Sequence, residues 1–392
     1  MQIDLGILLN LPELAITSVE VTDRKLVVHC QSRFGEAICP GCLRPTKEVK
    51  KYYHRTIRDL PITGREVYLE LEERQFFCPD CNRYFSERFS FVEPSRTTTK
   101  RYEAYLFERC EKTSLLQVAI LENLSWPVVQ AIYVRQAQQH VVNPAPVRWL
   151  GIDELALRQG HKSYVCVLVD LERACVLDLL PDRKQAYLLS YFQKKGRAFC
   201  EQIEVFSCDM WDGFVNLARK LMPNATIVVD RFHVMGQLHQ ALDQYRRALR
   251  RADPDAEELK RLKWVLLKHP EDLTQEETMR LEQAFEAFPQ LEQAWQLKED
   301  LRLWFDTFDT PERADRWLSA WIEQALALGN RYINTFVDTL HRWRQYILAF
   351  FQHRTTNGIV EGINNLIKAI KRRAYGFRNF DHFRLRVLCE CR

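Results

Sequence analysis

Ile203-Glu-Val-Phe-Ser-Cys-Asp209, followed by Phe214 to Met222 and then Thr226-Ile-Val-Val-Asp230-Arg-Phe-His233-Val234, reads as strand, acid, helix, strand and second acid. The first run alternates as a strand does. Phe214, Leu217, Ala218 and Leu221 recur at helical spacing, and Pro223-Asn224 closes that helix. Thr226 to Val229 is a short β-branched run of the kind buried in a parallel sheet. Such a strand-helix-strand unit crosses over right-handed and gathers its acids at the carboxyl ends of the strands.

Upstream lie three more strand patterns, Trp149 to Asp153, Ser163 to Val169 and Ala174 to Leu179, with turn signals at Gln159-Gly160 and Asp170. They predict an antiparallel meander. A helix from Gln185 to Lys195 leads back to Ile203, giving β-β-β-α-β-α-β, the order of a ribonuclease H-like α/β core. In that order the first and fourth strands are neighbours, so Asp153 and Asp209 are brought together.

Downstream of His233 the pattern is helical to about Phe351, divided by Pro254, Pro270, Pro289 and Pro311. It reads as an all-helical insertion whose tryptophans, Trp264, Trp295, Trp304, Trp317, Trp321 and Trp343, are mostly core. A closing helix starts near Thr355 or Thr356 and runs to about Arg373, burying Val360, Ile363, Ile367 and Ile370. Glu361, Asn365, Lys368 and Arg372 share another face, as a solvated surface also would. Lys371, Arg373, Arg378, Arg384 and Arg386, among Tyr375, Phe377, Phe380 and Phe383, form a basic, aromatic ending suited to a nucleic-acid backbone.

The N-terminal part differs in kind. Ala15 to Cys30 predicts a β-hairpin, and Cys39-Pro-Gly-Cys42 and Cys78-Pro-Asp-Cys81 flank a hairpin-like segment with strands Glu66 to Glu70 and Arg74 to Phe77. Two knuckles offering four thiolates make one structural zinc site, closed to catalysis because no position stays open. Cys30 and Cys110 read as core residues.

Thr97 to His140 turns helical. Thr113 to Glu122 is one helix, with Leu116, Ala119 and Ile120 inward; Ser125 caps the next, with Pro127 in its first turn and Val128, Val129, Ile132 and Tyr133 as its apolar face. Gln130, Arg135, Gln136, Gln138 and Gln139 can reach bases or phosphates, so the pair predicts a helix-turn-helix. A plain helical hairpin between two domains would give the same pattern.

The chain has 392 residues, enough for two or three domains, with 46% hydrophobic and 28% charged residues, which excludes a disordered or fibrous protein. At a net charge of +4, any nucleic-acid affinity comes from local patches. No apolar run spans a bilayer and no export signal opens the chain, so a cytoplasmic protein with reduced thiols and no membrane partner is expected.

Asp153, Asp209 and Glu361 supply two strand-borne carboxylates and one helix-borne carboxylate, the set that holds a pair of magnesium ions about 4 Å apart. Manganese would serve in their place. Asp212 and Asp230 are the rivals for the second position. Asp230 ends the next strand out and, with His233, offers two ligands, too few for a metal site; a structural or positioning role suits the pair better.

Gly-Ile-Asp153-Glu, Val-Val-Asp230-Arg-Phe-His233-Val, Asn357-Gly-Ile-Val-Glu361-Gly-Ile-Asn364-Asn365 with Lys368, and Arg373-Ala-Tyr-Gly-Phe377 resemble the ISL-three family of insertion-sequence transposases over nearly the whole chain. The resemblance implies a DDE transposase whose Asp-x-x-His signature, at Asp230 and His233, follows the second catalytic acid and so favours Asp209. It implies an α+β multidomain protein: a zinc-binding β module (1–92), a helix-turn-helix segment (93–146), a ribonuclease H-like core in two parts (147–233 and 351–392) and an all-helical insertion (234–350). The expected activity is metal-dependent hydrolysis and strand transfer on double-stranded DNA at terminal inverted repeats, by a dimer or higher oligomer on a prokaryotic chromosome. A DNA-binding regulator without cleavage activity and a structure-selective nuclease are the competing readings.

Overall fold

The computed structural model describes residues 9–141, 146–156, 164–355 and 358–391. The chain divides into two units, Met1–Val141 with Arg373–Gly376, and Val142–Arg372 with Phe377–Arg392.

In the first unit, β1 (Leu14–Val21) and β2 (Lys25–Ser32) form the expected hairpin, its turn held by the Thr22 amide on the Lys25 carbonyl at 2.8 Å. Short β3 (Ala37–Ile38) and β4 (Pro45–Thr46) pair with each other; β5 (Val49–Ile62) and β6 (Arg65–Cys78) form a long hairpin, and β7 (Arg83–Ser86) joins the end of β6. The sheet order is β1-β2-β6-β5, with β2 and β6 parallel. Thr63 and Gly64 turn the long hairpin at φ +50° and +77°, the positive-φ pair that a tight two-residue hairpin requires. Glu66 to Glu70 and Arg74 to Phe77, expected as separate strands, both lie on β6. Val67, Leu69 and Leu71 are buried in alternation into the gap, and Leu71-Glu72-Glu73 contains no turn residue to end the strand.

Three helices follow: α1 (Lys100–Lys112), α2 (Leu115–Leu121) and α3 (Trp126–His140). Thr99 caps α1 through the Tyr102 amide and Ser114 caps α2 through the Gln117 amide. Ser125 stands at the cap position of α3 but makes no side-chain capping bond, and Pro127 is in the first turn. The chain bends by 120° between α2 and α3, within the range of a helix-turn-helix. Their packing corrects three assignments. Leu116 and Ile120 are 57% and 64% exposed while Val118 and Ala119 are buried, and Val128 is 41% exposed, because the shared core is built from Val129, Ile132, Tyr133 and Ala137.

In the second unit β8 (Trp149–Ala156), β9 (Tyr164–Asp170) and β10 (Cys175–Leu180) form the antiparallel meander, and β11 (Val205–Cys208) and β12 (Thr226–Val229) add in parallel, in the order β10-β9-β8-β11-β12. Helices α4 (Gln185–Lys195), α5 (Arg197–Glu201), α6 (Asp212–Leu221) and α7 (Arg231–Ala252) connect and follow the strands. The insertion continues through α8 (Lys263–Leu267), α9 (Gln275–Ala287), α10 (Pro289–Thr307), α11 (Pro311–Ala327), α12 (Arg331–Leu348) and α13 (Phe350–His353). α14 (Gly358–Arg373) and α15 (Phe380–Glu390) close the chain.

Both faces of the sheet are covered. Leu150, Ile152, Phe206 and Val228 pack with Leu188, Phe192, Phe214 and Leu217 in a core that runs on into the insertion. On the other face Val165, Val167, Val169 and Leu179 meet Val360, Ile363, Ile367 and Ile370, the expected stripe of α14. Trp304, Trp321 and Trp343 are buried, and the first two donate their indole N–H to the Ala314 and Leu297 carbonyls. Trp264 is exposed. The expected turn at Gln159-Gly160, the strand start at Ser163, and Thr356 and Asn357 lie outside the described residues. Among the described residues no single helix is long and apolar enough to cross a membrane.

Candidate metal centres and nucleic-acid interface

Cys39 and Cys42 occupy the turn between β3 and β4; Cys78 ends β6 and Cys81 sits in the turn to β7. Their four sulfurs all lie within 4.8 Å of one another, with Cys39 to Cys81 at 3.8 Å and Cys42 to Cys78 at 3.5 Å. A tetrahedron with zinc–sulfur bonds of about 2.3 Å has edges of about 3.8 Å. The donor set therefore fits one structural zinc. The Cys42 amide, with that of Gly41, holds the Cys39 thiol down at about 6. Gly41 lets the two knuckles approach closely: a Cβ there would stand 3.2 Å from the Cys81 sulfur and 3.1 Å from Arg83, tighter than an ordinary contact. Leu43 and Asn82, just past each knuckle, take matching positive φ of 58° and 47°.

In the second unit the sheet register aligns the acids. Val205 pairs with Trp149 and Ser207 with Gly151, so extending the ladder two residues sets Asp209 beside Asp153; Cys208 pairs with Val229, which sets Asp230 on the far side. Neighbouring parallel strands lie about 4.8 Å apart.

Asp153 is held at both oxygens: Asn364 Nδ2 donates to Oδ2 at 2.6 Å and the Glu154 amide to Oδ1 at 2.7 Å. His233 Nε2 lies 3.7 Å from Asp153 Oδ1 and 3.8 Å from Asp230 Oδ2. Buried Asp230 caps α7, accepting the Phe232 amide at 3.1 Å. Asp209 Oδ1 is buried without a hydrogen-bond partner. Burial lifts its carboxyl to about 6; Glu154 and Asp153 add to the rise while His233 and Arg183 oppose it. Asp212, the other rival, is exposed and paired with Arg342 of the insertion.

Glu361 is exposed in the first turn of α14. Among the described residues the four cysteines are the one group of three or more ligand residues within 4.8 Å of one another, so Asp153, Asp209 and Glu361 do not close to that radius. The residue of α14 that touches Asp153 is Asn364, one helical turn from Glu361. Sequence reasoning gave Asn364 no role, although its i+3 relation to Glu361 marks it as a neighbour on the helix surface. It also passed over Glu154 and Arg183, which pair at 2.6 Å.

The expected DNA-contacting residues divide sharply. Gln139 is exposed and Gln130 half-buried, but Arg135 donates to Glu103 at 3.1 and 2.6 Å and Gln136 to the same carboxylate at 3.3 Å. Their polar groups serve the inside of the helical module, because the buried Glu103 needs a cation. Lys368, Arg372 and Arg378 are exposed; Lys371 and Arg373 are half-buried. The basic ending is otherwise structural: Arg384 bonds the buried Asp178 at 2.5 and 2.9 Å, Arg386 is buried against Glu390 at 2.7 Å, and Phe377 packs on Phe383 with ring centres 4.9 Å apart.

Comparison with known proteins adds three matches in chain order. A model described as zinc-finger of transposase IS204/IS1001/IS1096/IS1165 matches residues 35–81, one described as helix-turn-helix domain of transposase family ISL3 matches 87–137, and an ISL3 transposase model matches 150–387. The transposase for insertion sequence element IS1001 of Bordetella parapertussis is 29% identical over 372 residues, 93% of this chain and 91% of that protein. The transposase for insertion sequence element IS1557 of Mycobacterium tuberculosis is 28% identical over 357 residues, 80% of this chain and 76% of that one. A four-cysteine zinc-finger head, a helix-turn-helix and a two-faced sheet with aligned acids define a transposase with its own DNA-binding end. The chain belongs to the ISL3 family of insertion-sequence transposases.

Proposed function

We propose that the chain is a DDE transposase whose second unit is a ribonuclease H-like core and whose first unit recognises terminal inverted repeats. The observation that carries this is the register that sets Asp209 beside Asp153, together with a buried, unpartnered Asp209 oxygen of the kind a divalent cation satisfies. Asp153, Asp209 and Glu361 are the residues that would hold two magnesium ions, which supply an activated water or 3′-hydroxyl and stabilise the departing oxygen. Asn364 and the Glu154 amide fix the Asp153 carboxylate; His233 and Arg183 moderate the crowding of negative charge. Asp230 positions His233 by capping α7. Exposed Lys368 and Arg372, about two and three turns beyond Glu361 on α14, lie along the path of a DNA backbone. Handling two element ends calls for at least a dimer on DNA.

The test uses the full chain and labelled duplexes made from the DNA flanking its reading frame. With magnesium these are cut and joined to target DNA, whereas Asp153→Asn, Asp209→Asn and Glu361→Gln bind without cutting. Sequence-specific binding by the unaltered chain without cleavage would leave a DNA-binding regulator. Cuts indifferent to sequence, with no joined products, would leave a nuclease. If Asp230→Asn abolishes cutting and Asp209→Asn does not, the second acid is Asp230.

A further inference from the structure

The outward face of α3 is apolar where a helix-turn-helix meets bases. Val129, Ile132, Tyr133 and Ala137 point into the module, so the opposite stripe begins with Pro127, Val128 and Ala131, all exposed, and continues with the half-buried Val134. The N-terminal part of the second helix is the part that reaches base edges in such motifs. Arg135 and Gln136 are engaged with Glu103, Gln130 is half-buried, and the exposed Gln138 and Gln139 lie in the last turn of α3, away from its N-terminal part. On the major-groove edge of a base pair, the feature an aliphatic side chain recognises is the 5-methyl group of thymine.

Charge complementarity favours nucleic acid as the occupant of this face. From Ser114 to Val141 the sequence holds a single carboxylate, Glu122. It is buried, accepting Tyr102 at 3.1 Å and Tyr105 at 3.0 Å with Arg109 at 3.5 Å. No exposed acid therefore repels phosphates across α2 and α3, and Lys112, exposed just before α2, adds a cation. A second copy of the chain is the competing occupant, since Leu116, Ile120 and Leu121 are also exposed.

We propose that α3 selects its DNA site by packing Val128 and Ala131 against thymine methyl groups, so that recognition depends on methyls more than on a hydrogen-bond pattern. This rests on the DNA-binding reading of the helix-turn-helix. Duplexes bound by the full, zinc-loaded chain are selected from a random pool and remade with deoxyuridine for thymidine at one position at a time. That change deletes a methyl and leaves every hydrogen-bonding group in place.

One or two adjacent positions are expected to lose about fourfold in affinity each, the worth of one buried methyl. Val128→Ala, at an exposed site that the fold does not need, is expected to weaken the thymidine duplex by a similar factor and to bind the deoxyuridine duplex as the unaltered chain does. Equal binding of both duplexes by the unaltered chain overturns methyl readout while DNA binding stands. Failure to select any duplex overturns the DNA-binding reading instead. Self-association without DNA in sedimentation, lost in Leu116→Ser/Ile120→Ser, together with indifference to deoxyuridine, assigns the face to a second copy and also overturns the proposal.

Discussion

Asn364 donates its side-chain amide to the carboxylate of Asp153, Nδ2 to Oδ2 at 2.6 Å, joining residues 211 apart in sequence. The bond seats the start of α14 on β8 and leaves Asp153 one preferred orientation. Groups that orient a metal-binding carboxylate typically matter by about 10- to 100-fold in affinity or activity. Asn364→Ala is therefore expected to slow single-turnover cleavage by about 10- to 100-fold, with end-DNA binding changed less than about twofold. A gel-shift titration beside the cleavage time course separates the two, and equal losses in both would make Asn364 a folding residue only.

The four thiolates make the head depend on metal. Structural zinc contributes on the order of 10 kcal/mol or more to small thiolate modules, so a chelator or Cys78→Ser is expected to unfold the turn regions around 39–46 and 78–86. Atomic absorption should give one zinc per chain before treatment. Limited proteolysis afterwards should cut within those segments while 164–230, whose strands lie in a sheet covered on both faces, stays protected. Protection of the head without zinc would contradict a structural role.

The sheet of the second unit was legible because its signals are local. Alternation marked most of the strands, a β-branched run marked β12, and the meander fixed which strands could be neighbours. Gln185 to Lys195 and Thr226 to Val229 match the observed elements residue for residue. Where the reading failed, the cause lies far away in sequence. Arg135 and Arg384 look like surface cations until Glu103 and Asp178 are seen buried beneath them. Leu116 and Ile120 have the spacing of a core stripe, but a seven-residue helix has room to bury only Val118 and Ala119. Asn364 could not be assigned because its partner is on another element.

The pairing of Arg135 with Glu103 leads to a prediction opposite to that of a DNA contact. Their side chains are joined at 2.6 Å, Glu103 almost wholly buried and Arg135 about a quarter exposed. Stranding a buried carboxylate costs several kcal/mol, and partial exposure of the arginine screens it, so Arg135→Met is expected to lose about 2 kcal/mol of stability. Adding Glu103→Gln should restore at least about 1 kcal/mol in a double-mutant cycle followed by denaturant titration. The sequence preference of the DNA that remains bound should not change. A shifted preference with unchanged stability would return Arg135 to the reading surface.

Asp209 gives the pH prediction, and its sign is opposite to that of an ion-paired carboxylate. Its folded pKa of about 6 lies above the ordinary value of 3.8, so without divalent metal the folded state binds the proton more tightly than the unfolded one. Stability from this group is then greatest below pH 4 and declines as pH rises to 6, by roughly 2 kcal/mol after allowance for partial exposure. His239 acts in the other direction: burial lowers it to about 4 from 6.5, so its contribution is lost as pH falls through that range. The wild-type profile mixes both, and the difference between wild type and Asp209→Asn isolates the aspartate. In magnesium-free thermal or denaturant unfolding, Asp209→Asn should match wild type near pH 4 and exceed it by about 2 kcal/mol at pH 7. Magnesium should erase that advantage by stabilising wild type alone, since the ion competes with the proton for the same buried oxygen. A constant difference across pH would mean that Asp209 titrates as an ordinary surface acid.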